Sequence, residues 1–141
     1  MRPIHAYLLV IATIVTTVTC MAQPPVTEAP DEVIDCTEIT TSPQVTACVQ
    51  QEATASNALL VDALANFERR TESDYTSVPS LGKELIEKVH KTQEAWTVFR
   101  DLNCRVAAFQ VEEGKPAYIT LVNDCIIRMN AERIEELSKL P

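Results

Sequence analysis

The sequence predicts an all-α fold: a small bundle of about three helices, tied by two disulfides and ending in an antiparallel helical hairpin. Three observations predict it. Apolar residues recur at helical spacing over long stretches, and no glycine or proline interrupts the first, Val45 to Arg70. Gly114-Lys115-Pro116 forms a sharp break between two such stretches. Four cysteines remain once the N-terminal segment is set apart, enough for two bridges.

Residues 1–22 read as a secretory signal peptide. Arg2 is followed by the apolar run Ala6–Val18 and then by Cys20-Met21-Ala22, with cleavage expected after Ala22. That run falls short of the ~20 residues that span a bilayer. The competing reading is lipidation at Cys20, the one route to a membrane association; Thr17-Val18-Thr19 fits the lipoprotein pattern poorly. Export places the protein in the periplasm, at the cell surface or outside the cell. Residues 23–35, QPPVTEAPDEVID, read as a proline-rich acidic tether, and 36–141 as the single helical domain.

Charge is uneven along the chain. Residues 23–68 hold eight carboxylates and no lysine or arginine, whereas 69–141 hold eleven basic against twelve acidic residues. Nucleic acid and anionic membrane surfaces need cationic patches, so both are excluded as partners. A cationic protein is the complementary choice, and Asp31, Glu32, Asp35 and Glu38 are the candidate contact residues.

The elements follow in order. The Ser-Pro at 42–43 suits a helix start, and Val49, Ala53, Leu60, Ala63, Leu64 and Phe67 give the first helix its apolar stripe to about Arg70. Residues 71–80, TESDYTSVPS, are the expected turn, with Tyr75 capping the bundle end. A second helix is expected from Pro79 to Glu113, with Leu81, Leu85, Val89, Thr92, Trp96, Phe99 and Val106 inward. At 1.5 Å per residue it would run ~50 Å, so a bend or a protruding end is expected. A third, 117–140, carries Leu121, Cys125, Ile126, Met129, Arg133 and Leu137.

Facing residues of an antiparallel hairpin have a constant sum of positions. Cys104 and Cys125 are centred within Gly114-Lys115-Pro116, which makes them the preferred bridge and leaves Cys36 to pair with Cys48. None of the cysteine spacings is that of a zinc site.

The second helix also carries the most distinctive face. Gln93, Trp96, Arg100 and Cys104 fall on one narrow side at 100° per residue. A buried amide and guanidinium need partners, so this face is first a structural one. Arg100 and Asp101 are consecutive and expected to diverge rather than act as a pair. His90 reads as a surface residue, and Glu112-Glu113 and Glu135-Glu136 as solvated faces. With no nucleophile elbow, phosphate loop or metal signature, neither enzymatic activity nor a small-molecule cofactor is expected.

With these residues placed, QxxWxxxRDxxC followed by a second cysteine and an Arg-x-x-x-Leu resembles the LprI-like lysozyme inhibitor family, small exported bacterial helical domains. Gln93, Trp96, Arg100, Asp101, Cys104, Cys125, Arg133 and Leu137 match its motif, and Asp35-Cys36 with Cys48 its earlier cysteine pair. The family's Asp-x-x-Leu-Asn-x-x-Tyr segment falls on Asn57–Leu64, where only Leu60 is kept. The resemblance implies a structural role for Arg100 and a lysozyme as the protein partner. An accessory envelope domain is the alternative, and it predicts an exposed apolar surface along the excess length of the second helix.

Overall fold

A computed structural model describes residues 34–141; the segment expected to be a signal peptide, most of the expected tether, and Asp31 and Glu32 lie outside the described residues. Three helices account for the fold: α1 (Ser42–Asp74), α2 (Pro79–Ala107) and α3 (Pro116–Lys139). Each has proline in its first turn, where the missing N–H would be unpaired anyway. Thr41 caps α1 in a capping box: the Gln44 amide donates to Thr41 Oγ1 at 3.4 Å and the Thr41 amide donates to Gln44 Oε1 at 3.0 Å.

The helices run up, down and up, so α1 and α3 are parallel and α2 is antiparallel to both. Thr46 lies beside Thr120 near one end (3.3 Å between hydroxyls), and Arg70 donates to the carbonyls of Leu137 (3.0 Å) and Leu140 (3.1 Å) at the other. The arginine thereby satisfies carbonyls that the end of α3 would leave unpaired. The broadest packing is α1 on α3, so the third helix rests more on the first than on its hairpin partner.

Two clusters form the core. Leu60, Phe67, Val89 and Leu137 fill the end near the α1–α2 turn, and Cys104, Cys125 and Met129 fill the other, with Trp96 packed against both. At the turn, Tyr75 lies over Gly82; a Cβ at residue 82 would stand 2.8 Å from the Tyr75 Cβ, so only glycine permits this approach. Both disulfides form as expected, Cys36–Cys48 and Cys104–Cys125, with Cα separations of 5.7 and 5.4 Å.

Several expectations are corrected. α1 continues one turn beyond Arg70, to Asp74. α2 stops at Ala107, not Glu113, and neither the 50 Å rod nor its protruding end exists. The bridge holds Cys104 opposite Cys125, yet α3 starts well before Cys125, at Pro116. The chain must therefore return, and residues 108–115 do so in successive turns, such as the Val111 amide donating to the Ala108 carbonyl at 2.9 Å. Gly114, at φ +82°, supplies the left-handed step expected of it. Leu81, Thr92, Phe99, Val106 and Leu121, placed inward from periodicity, are exposed instead.

Candidate functional site

The two sides of α2 have different tasks. Its inner side assembles the distinctive residues into one polar network across all three helices. Arg100, 8% exposed, donates through Nη1 to Asn57 Oδ1 on α1 (3.0 Å) and to Asn130 Oδ1 on α3 (2.8 Å). Asn130, fully buried, donates onward to Ser56 Oγ (2.8 Å) and Asn57 Oδ1 (3.0 Å), and the Ser56 hydroxyl donates to the Ala53 carbonyl (3.1 Å). A buried amide with each of its groups engaged fixes the register of the helices around it.

Arg100 also pairs with Asp101, through Nε (2.9 Å) and Nη2 (2.7 Å). This corrects the expectation that consecutive residues diverge: their Cα–Cβ bonds do, but a four-bond side chain swings its guanidinium back to the neighbouring carboxylate. Two cations lie over the Trp96 ring, the Arg100 guanidinium 5.4 Å and that of Arg133 5.7 Å from its centroid. Arg133 donates to Gln93 Oε1 (2.9 Å) and pairs with Glu136 (2.9 Å), and Leu137 is fully buried. Gln93, Trp96, Arg100, Asp101, Arg133 and Leu137 thus form one inter-helix seam.

Asn130 and Ser56 were missed from sequence. The signal was there for Asn130, four residues after Ile126 and three before Arg133 on the apolar side of α3. Asn57, at the position where the resemblance expects aspartate, accepts from Arg100 as a neutral amide. Because Asn57 is exposed, a carboxylate there would be little desolvated. Asn57→Asp is therefore expected to stabilise the fold by about 1 kcal/mol, because the bond from the charged guanidinium to a neutral amide becomes an ion pair. The midpoint of urea unfolding checks it, and a lowered midpoint would show that the site requires a neutral acceptor.

The acidic candidates lie apart from this seam. Asp35 and Glu38 are exposed, on the segment that Cys36–Cys48 ties to α1. The Thr37 backbone amide (2.9 Å) and hydroxyl (2.7 Å) donate to Asp35 Oδ1, and they hold this carboxyl below its ordinary pKa, the backbone bond foremost. His90 is exposed and pairs with Glu68 across α1 and α2 at 2.9 Å.

The outer side of α2 is apolar, a feature that only the accessory-domain alternative led one to expect. Val98, Phe99, Leu102 and Val106 are 57–72% exposed, and Phe109, just past the helix, is 83% exposed. At helical spacing Val98, Leu102 and Val106 form a stripe opposite the buried Val89, Arg100 and Cys104. A helix apolar on both sides is ordinarily covered on both.

No solved structure matches the chain. An uncharacterised protein of Rhizobium meliloti (strain 1021) is 24% identical over 128 residues, covering 86% of this chain and 87% of its own length. The family model described as lysozyme inhibitor LprI matches residues 35–137, from the residue before Cys36 to the buried Leu137. Every element of the seam lies within that match, and so do both disulfides; the chain belongs to the LprI lysozyme inhibitor family.

Proposed function

We propose that this protein is an exported inhibitor of lysozyme that acts by protein–protein contact, in the periplasm or at the cell surface. The observation that carries this reading is the family match over residues 35–137. Two further features support it. Two disulfides suit an oxidising compartment. The domain is acidic, with seventeen carboxylates against eleven lysines and arginines over residues 34–141, which favours encounter with a cationic muramidase. No helix among the described residues is long and apolar enough to cross a membrane.

In this reading Asp31, Glu32, Asp35 and Glu38 steer the encounter. Steering raises association rates and fades as salt shortens the Debye length from ~10 Å at 0.1 M. The test is muramidase turnover with purified mature protein at low and moderate salt, beside a chain that begins at Cys36. Inhibition is expected, weaker at the higher salt, with slower association for the shortened chain. Undiminished inhibition by the shortened chain would remove Asp31, Glu32 and Asp35 from the proposal. No effect on any lysozyme class would sink the reading itself.

A second reading, an accessory envelope domain that assembles with another secreted protein, has one observation in its favour: the apolar outer side of α2. It predicts no effect on turnover.

A further inference from the structure

We infer that the outer side of α2 from Val98 to Val106, with Phe109 just past the helix end, is the docking surface for the lysozyme, and that the acidic N-terminal segment serves the encounter only. The inference rests on the inhibitor reading above. The chain has three phenylalanines, and Phe67 is fully buried while Phe99 and Phe109 stand in water at 58% and 83% exposure. A chain with so few aromatics exposes Phe99 on α2 near Val98, Leu102 and Val106, and Phe109 two residues past the helix end. Aromatic and aliphatic anchors within a polar rim are the usual centre of a protein interface.

Charge decides between two occupants of this surface. A second copy would bring a domain of net charge −6, from the seventeen acidic and eleven basic residues of 34–141, against its equal. A cationic enzyme is attracted by the same field. Locally the stripe is rimmed by both signs, Glu94 and Asp101 against Lys91 and Arg105, and Asp101 is already held by Arg100. The rim therefore adds little, and the apolar stripe supplies the close contact. Long-range attraction acts on association, whereas buried apolar anchors act on dissociation.

The experiment replaces Leu102→Asp and Val106→Asp together, at two exposed positions, in the mature protein. The added carboxylates make the protein more acidic, so attraction by charge alone predicts binding to a cationic lysozyme at least as tight as before. The docking surface predicts the opposite: dissociation faster and Kd higher by about thirtyfold or more. Binding is measured by surface plasmon resonance against lysozymes of the c, g and i types, with circular dichroism to verify the fold. Phe109→Ala, beyond the helix end, is expected to weaken binding in the same direction without touching α2.

If the wild type binds a lysozyme and both variants bind it equally well, the inhibitor reading stands and the docking surface is wrong. If the wild type binds none of the three, the reading fails and this assignment fails with it. If sedimentation shows a wild-type dimer that Leu102→Asp/Val106→Asp disperses, the stripe is an interface between copies and the inference is overturned.

Discussion

Arg100→Leu is expected to lower stability by about 3 kcal/mol, the low end of the range for removing one member of a buried, hydrogen-bonded ion pair. The partners decide where in the range it falls. Asp101 is about half exposed and Asn57 is exposed, so water replaces the guanidinium at both with modest loss. Asn130 is fully buried, and its Oδ1 would be left with no donor inside the bundle. Trp96 also loses one of the two cations over its ring. For a domain of about this size, 3 kcal/mol corresponds to a melting temperature lower by roughly 12–20 °C. Thermal unfolding followed by circular dichroism checks it. A variant that melted normally but no longer bound its partner would make Arg100 an interface residue, against its placement at the centre of the helix seam.

The two disulfides, although both present, are expected to contribute unequally. Cys104 is fully buried and Cys125 nearly so, in the cluster with Met129, whose Sδ lies 3.7 Å from Cys104 Sγ. This bridge spans 21 residues and joins two helices at the end where the chain reverses. The loop-closure estimate for that separation is about 3 kcal/mol. Cys36–Cys48 spans 12 residues, but Cys36 is exposed and residues 34–41 lie outside the helices. Opening it releases a terminal segment that the rest of the fold does not depend on, at a cost of at most about 1 kcal/mol. Urea unfolding of Cys104→Ala/Cys125→Ala and of Cys36→Ala/Cys48→Ala separates them: a large shift of the midpoint for the first pair, a small one for the second. Equal shifts would show that residues 34–41 are a working part of the core. Excess reductant should reproduce the first result, and an unchanged melting temperature in it would count against both bridges as stabilising elements.

Read without its structure, the sequence determined the fold class, the number of helices, both disulfide pairings and the family. Each is local or arithmetic information. Periodicity marks helices, proline and glycine mark their ends, and the centre of a cysteine pair marks a hairpin. It also assembled Gln93, Trp96, Arg100 and Cys104 on one side of α2, because 100° per residue needs no partner to be true.

Tertiary structure decided what those residues meet. Periodicity says which side chains share a face, but not which face is covered when two are apolar. That is why Phe99 and Val106 were placed inward and stand in solvent. Spacing gives the direction of a Cα–Cβ bond and not the reach of a long side chain, so the Arg100–Asp101 pair was invisible. α2 ends three residues after Cys104 while α3 begins nine before Cys125, an offset that residues 108–115 span and that helical spacing within either segment does not encode.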